Sequence, residues 1–306
     1  MSYEIKKLDK KDWPPLLGEI NDPPKQLYYA GQVPNYENKF LCVVGSRKYT
    51  PYGKDIVSTL ISGLAGFPIT IVSGLALGID AIAHRAAIKN KLGVIAVPGS
   101  GLDPKAMHPK TNIQLAEEII NEGGTLISEF EPDFKATLWS FPMRNRIMAG
   151  MSHAVLVVEA ETKSGTLITA KLATGYNREV FAVPGSIFSP TSDGPHLLIK
   201  LGATPIRNSE DILEALGIGK LDFLSMPSGS VLNKSLESKG NGNSKYSDCS
   251  ERELLIISLL KEPLEKDSLL RAAIENKISV SETQTLLTLL ELKGYIIEKL
   301  GELRLT

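Results

Sequence analysis

Between Lys39 and about Gly217 the chain alternates short apolar runs with longer amphipathic stretches. The runs are Phe40-Leu41-Cys42-Val43-Val44, Ile69-Thr70-Ile71-Val72, Val94-Ile95-Ala96-Val97, Thr125-Leu126-Ile127, Ala154-Val155-Leu156-Val157-Val158 and Val180-Phe181-Ala182-Val183. They lack the apolar–polar alternation of a half-exposed strand, so each reads as a strand buried on both faces. Helix-compatible segments fall between them at 80–90, 112–121, 144–151 and 166–176. Buried strands separated by helices imply crossover connections, and the expected fold is α/β, a doubly wound parallel sheet over residues 38–217.

The flanking regions have other patterns. Residues 1–37 carry Trp13-Pro14-Pro15-Leu16-Leu17 and Asp22-Pro23-Pro24, and such double prolines exclude a long helix. This stretch is expected to be a turn-rich N-terminal extension packing on the core. Residues 218–247 are loaded with Ser, Gly, Asn and Lys and read as a flexible linker. Beyond it, residues 248–306 regain helical periodicity. Ser250 with Glu253, and Ser279 with Glu282, have capping-box spacing, and Tyr295–Leu305 reads as a hairpin turning near Gly301. Helices followed by a hairpin predict a small winged-helix domain. Its third helix would present Glu282, Gln284, Thr285, Thr288 and Glu291, too acidic for a duplex major groove, so a protein-contacting or regulatory role is expected.

Charge narrows the function. Lys and Arg number 34 against 35 Asp and Glu, for a net charge of −1. A protein of this balance cannot coat a polyanion by bulk charge, so any nucleic-acid site must be a local cluster of cations. Cys42 lies in an apolar run and Cys249 in the linker, which is neither a disulfide framework nor a metal spacing and fits a reducing cytoplasm. No stretch approaches the ~18–20 apolar residues of a membrane span, and no apolar run follows the first basic residues as in a secretory signal. The expectation is a cytoplasmic protein without membrane insertion.

In doubly wound sheets ligands bind at the carboxyl ends of strands, so the turns there are the places to look. The first is Gly45-Ser46-Arg47, where a glycine allows a sharp turn, a helix start offers N–H groups and an arginine fork suits a phosphate. An ordinary turn with a surface arginine explains the same residues. Ser73-Gly74-Leu75-Ala76-Leu77-Gly78-Ile79-Asp80 is a second glycine-bearing turn. His108-Pro109-Lys110-Thr111-Asn112 places Lys110 just before a helix start, as a phosphate contact or a solvated cation. The densest cluster is Phe141-Pro142-Met143-Arg144-Asn145-Arg146, with Lys135 and Trp139 upstream, where cations could hold a backbone while a ring stacks on a base. Glu129, Glu131 and Asp133 offer the alternative of intramolecular ion pairs. Arginines at i and i+2 of a helix point to different sides, so one could bind while the other braces. Ser164-Gly165-Thr166 opens another helix with small residues that admit an anion, and Lys171 follows within it.

Catalytic constellations do not appear. His84, His108, His153 and His196 are scattered, no G-x-S-x-G or G-x-G-x-x-G occurs, and Gly45 to Gly53-Lys54 has the wrong spacing for a P-loop. No cofactor, metal or enzymatic activity is expected.

The motifs come in a particular order: Val43-Val44-Gly45-Ser46-Arg47, Ser73–Asp80, Gly101-Leu102-Asp103, Ser128-Glu129, Phe141–Ile147 and Phe181-Ala182-Val183-Pro184-Gly185. In this order they resemble the DNA-processing protein A family (DprA, also called Smf). The N-terminal Trp13–Gly31 segment and Leu289–Gly294 before the hairpin are similar to it too, so the resemblance covers nearly the whole chain. It implies a Rossmann-like core that binds single-stranded DNA without sequence preference and forms a homodimer. It also implies a role in natural transformation, protecting incoming strands and helping to load the recombinase RecA. Arg47 would then be the central phosphate contact, with Lys110, Lys135 and Phe141–Arg146 alongside. His108-Pro109 departs from the family's usual Tyr-Pro, and Gly165-Thr166 from its common Gly-Ser. The main rival is a nucleotide phosphoribohydrolase of the lysine-decarboxylase-like family, but its P-G-G-x-G-T-x-x-E motif is replaced here by Glu159–Ile168 without the double glycine or the glutamate.

Overall fold

The computed structural model describes residues 3–218, 251–260, 264–276, 278–293, 295–299 and 302–305. The chain forms two compact units that divide at residues 231 and 232. Apart from Ile218, the expected linker lies outside the described residues.

In the first unit a single sheet joins β1 (Lys6–Leu8), β2 (Leu27–Gly31), β3 (Lys39–Val44), β4 (Ile69–Ser73), β5 (Gly93–Ala96), β6 (Thr125–Ser128), β7 (Ala154–Val157), β8 (Glu179–Ala182) and β9 (Thr204–Pro205). Their order across it is β1-β2-β6-β5-β4-β3-β7-β8-β9. Strands β3 to β9 are mutually parallel where they pair, whereas β2 runs antiparallel to β6 and β1 antiparallel to β2. The crossovers are α1 (Pro51–Ser62), α2 (Ile79–Lys89), α3 (Ile113–Asn121), α4 (Ser140–Met151), α5 (Gly165–Gly175) and α6 (Asp193–Lys200), with α7 (Ser209–Ala215) following β9.

The apolar runs are buried on both faces, as their composition predicts. In β3, Leu41 and Val43 face a core built with α1, α2 and α3, while Phe40, Cys42 and Val44 face a second core with α4 and α5. The parallel part of the sheet starts in its middle at β3, winds outward through β4, β5 and β6, then crosses back by α4 to β7 and winds the other way. The reversal between β3 and β7 is the topological switch point, where side-by-side helices diverge and leave a crevice.

The N-terminal segment is more than turns. Its prolines confine it to short 3₁₀ turns at Lys10–Asp12 and Pro15–Glu19, but β1 and β2 add an antiparallel margin to the sheet. Trp13, Leu17 and Ile20 are buried in the core that contains α4. Arg178 donates to the Leu16 carbonyl (2.8 Å) and pairs with Glu19 (3.2 Å), securing the segment from the far side of the sheet.

The second unit comprises α8 (Glu251–Leu259), α9 (Lys266–Glu275) and α10 (Val280–Leu292) with a sheet of β10 (Leu264–Glu265), β11 (Ile296–Lys299) and β12 (Glu302–Leu305). The strands are antiparallel in the order β10-β12-β11. Ser279 caps α10, its side chain accepting from the Glu282 N–H at 3.3 Å as the capping box predicts, whereas Ser250 lies outside the described residues. Leu286, Leu287 and Leu290 of α10 are buried, while Gln284, Thr288, Leu289 and Glu291 are exposed.

Candidate nucleic-acid interface

At the switch point, the turns leaving β3 and β7 enclose a cleft of about 470 Å³. Gly45 is demanded by a close approach, since a Cβ there would come within 2.7 Å of the Ile79 side chain. The Ser46 hydroxyl accepts from the Lys48 N–H (3.0 Å) and donates to the Lys48 carbonyl (2.8 Å), closing a local turn that leaves Arg47 and Lys48 exposed. The Arg47 guanidinium lies over the Phe141 ring, 5.4 Å from its centroid, a cation–π contact that fixes one cation beside an aromatic face.

The opposite wall is the start of α5. Ser164 is its N-cap, accepting from the Thr166 N–H at 3.2 Å, and Thr166 donates across to the Gly45 carbonyl at 3.2 Å. That bond ties the two turns to one spacing. Gly165 has nothing within 4 Å of where a Cβ would stand, so the backbone at the start of α5 can be approached there, although Ser164 already takes the Thr166 and Leu167 N–H groups. Lys163 and Glu161 complete the rim.

Asp80 and Arg144, both buried, line the floor. Asp80 accepts from the Gly74 N–H at 3.0 Å and the Ala76 N–H at 3.4 Å. Arg144 donates to the Gly74 and Val97 carbonyls, and its Nε donates to Asn145 Oδ1 at 3.0 Å. Gly74 passes between the two charges with no room for a side chain. Burial raises the Asp80 carboxyl above the ordinary carboxylate range, against the pull of Arg144, the two N–H donors and Arg47. His84, one turn along α2 and fully buried, is pushed down to about 3 by burial and by Arg144, with a smaller opposing pull from the Ser73 backbone. The pinned 73–78 turn in turn supports Arg47. Ile79 N–H donates to the Ser46 carbonyl at 3.2 Å, and Gly78, at φ +82°, packs directly on Ser46 and Arg47.

Glu159, at the end of β7, joins the neighbouring elements. Its buried carboxylate accepts from the Thr50 N–H at 3.0 Å and from the Thr50 and Thr191 hydroxyls. Thr50 is the N-cap of α1, and Gly53 one turn on makes room for the same carboxylate.

Of the residues singled out in the sequence, the cleft lining gathers Ser46, Arg47, Phe141, Arg144, Asn145, Ser164 and Gly165. Arg144 and Arg146 are both buried within the fold. Arg146 lies away from the cleft, where it donates to the Asp22 carbonyl at 2.7 Å and pairs with Glu129. Lys110 is exposed after the cis peptide His108-Pro109, beside a small hollow that Arg47, His108 and Phe141 share. Lys135 is exposed in the loop whose Phe130, Phe134 and Trp139 rings cluster at 4.5–5.7 Å. Lys171 is exposed on α5 and does not line the cleft. The sequence reading passed over Lys48, Glu161, Lys163 and the floor role of Asp80. Lys48 and Lys163 adjoin the Gly45-Ser46-Arg47 and Ser164-Gly165-Thr166 motifs, which was the available signal, while Glu161 stands only within the Glu159–Ile168 stretch set against the hydrolase motif.

A family model described as DNA recombination-mediator protein A matches residues 4–217. Protein Smf of Escherichia coli (strain K12) is 44% identical over 211 residues, 69% of this chain and 56% of that protein. The chain thus matches little more than half the length of that relative. Among solved structures, DNA processing protein A (DprA) from Streptococcus pneumoniae superposes with a TM-score of 0.63 at 39% identity, covering 69% of this chain and 74% of that one. DNA processing protein A from Helicobacter pylori, described for its single-stranded DNA binding mode, gives 0.63 at 31% identity, covering 70% and 96%.

Proposed function

Because the chain belongs to the DNA recombination-mediator protein A family, we propose that its first unit binds single-stranded DNA without sequence preference. The observation that carries this reading is the exposed Arg47 held over Phe141 and facing the open start of α5. A cation, and an aromatic face that it uncovers when it turns to a phosphate, provide within one cleft for phosphate and base without reading a base edge. Lys48 and Lys163 flank that cleft, and Lys110, Lys135 and Lys171 offer outlying cations to a strand that runs past it. Local clustering also reconciles polyanion binding with a net charge of −1.

By membership of the same family, the strand is handed to RecA in recombination during natural transformation, and the protein works as a cytoplasmic homodimer. The second unit, with its helices and antiparallel sheet, is a winged helix over residues 248–306. Its exposed α10 residues are neutral or acidic, which favours a protein partner over a duplex groove. The relative from Helicobacter pylori, whose structure is described for its single-stranded DNA binding mode, supports the ligand class.

The test is binding of labelled oligo-dT by the full chain across a salt series, beside Arg47→Ala. Loss of one phosphate contact should reduce the salt slope by about 0.7. No affinity of the wild type at low salt would sink the reading. A base-release assay on nucleoside monophosphates then tests the hydrolase alternative.

A further inference from the structure

The cleft has features that a deoxyribose strand does not use. Its volume of about 470 Å³ falls within the roughly 300–1,000 Å³ of sites that enclose small organic ligands. It occupies the switch point, the position at which doubly wound sheets hold nucleotides. Arg47, Lys48 and Lys163 supply cations for one phosphate, and Phe141, beneath Arg47, supplies one ring face once that side chain turns away.

Glu161 is the informative residue. Its carboxylate is exposed on the cleft wall and forms no ion pair among the described residues. Beside a polyphosphate backbone, an unpaired carboxylate is a repulsive neighbour, and the sugars of an internal DNA nucleotide have no hydroxyl to donate to it. A free nucleoside 5′-phosphate differs in this respect. Its sugar carries hydroxyl donors, and a carboxylate accepting from a ribose hydroxyl is the usual device of nucleotide sites in this class of sheet.

We propose that the cleft is a mononucleotide site that takes free nucleoside 5′-phosphates, ribonucleotides above deoxyribonucleotides, and that these compete with the DNA strand. In the bound state Arg47 turns from the Phe141 ring to the phosphate beside the start of α5, the base takes its place on the ring, and the sugar hydroxyls donate to Glu161. No bond is made or broken. The inference rests on the reading of the cleft as a phosphate site, but it requires no strand to be present.

The experiment uses the full chain and two readouts. Calorimetry measures direct binding of AMP, dAMP and adenosine, and anisotropy measures displacement of labelled oligo-dT by the same compounds at constant ionic strength set with KCl. AMP should bind with a dissociation constant on the order of 1 mM, dAMP more weakly, and adenosine should neither bind nor displace. Glu161→Gln should weaken AMP roughly tenfold by removing a charge-assisted hydrogen bond. The same variant should tighten oligo-dT, because it removes a repulsive charge. Arg47→Ala should abolish AMP binding. Oligo-dT bound normally with AMP inert would overturn the inference and leave the DNA reading standing. AMP binding unaffected by Arg47→Ala, or displacement matched by adenosine, would also overturn it. AMP bound and lost in Arg47→Ala, with oligo-dT never bound, would uphold this site and remove the strand reading instead.

Discussion

Two arginine-bearing segments meet at the cleft and have opposite fates. The turn after β3 presents Arg47 to solvent, while the start of α4 draws Arg144 inward under the same cleft. The difference lies in what surrounds each. Arg47 follows a turn closed by its own Ser46–Lys48 hydrogen bonds, so the local backbone satisfies itself and the side chain is released. Arg144 lies on a helix whose residues Arg144–Met151 are all buried, between the N-terminal segment and the strands, and its guanidinium serves carbonyls of two separate turns. An identical side chain is therefore left exposed at the cleft in one place and made an internal tie in the other. The tie shapes the exposed turn, because Arg144 and Asp80 pin the 73–78 turn on which Arg47 rests.

The sharpest way to break this comparison is Arg144→Met. It leaves Asp80 buried without its nearby cation and two carbonyls without their donor, and about 3–5 kcal/mol of stability should be lost. A urea midpoint moved by less than about 1 kcal/mol would mean that Arg144 is not a structural tie. Next comes Gly78→Ala, whose Cβ would stand 2.2 Å from the Ser46 carbonyl oxygen at a positive φ. The expected cost is about 1–3 kcal/mol, accompanied by weaker oligo-dT binding as the Arg47 turn shifts. Full stability with full affinity would show that the 73–78 turn does not position Arg47.

Acid sharpens the comparison from beneath the floor. His84 has its pKa lowered from 6.5 in the open chain to about 3 in the fold, so the unfolded chain binds the extra proton between those values. Stability from this group is therefore complete above pH 6.5 and falls as pH drops towards 3, by about 1.4 kcal/mol per pH unit once well below 6.5. His84→Gln should flatten that part of a denaturation–pH profile, and an unchanged slope would refute the assignment. The smallest effect on stability belongs to Arg47→Ala. Its denaturation midpoint should stay within about 0.5 kcal/mol of the wild type, while its oligo-dT salt slope falls. A destabilised Arg47→Ala would make both arginines structural and dissolve the contrast.

Much of this was legible along the chain. Unbroken apolar runs as short as Phe40–Val44 and rich in valine and isoleucine read as strands covered on both sides, and their alternation with helices pointed to a parallel doubly wound sheet and hence to the end of it at which to look. The Gly45-Ser46-Arg47, Phe141 and Ser164-Gly165 motifs are local enough for spacing to mark them as turns and helix starts. Strands β1 and β2 were not legible, because short, turn-flanked segments such as Lys6–Leu8 gain strand structure only from the neighbour they pair with. The linker composition likewise speaks for itself, but its conformation falls outside the described residues.

The sequence by itself determined the class of fold, the sheet end that carries the site and the residue types gathered there, because these follow from hydrophobic pattern and turn chemistry within a few residues. The tertiary structure alone decided which cations face the cleft. Arg144 and Arg146 stand two residues apart, yet one reaches Gly74 and Val97 and the other Asp22 and Glu129. Whether an arginine is buried depends on carbonyls and carboxylates contributed from distant parts of the chain, and no spacing around the arginine itself records where the fold will bring them.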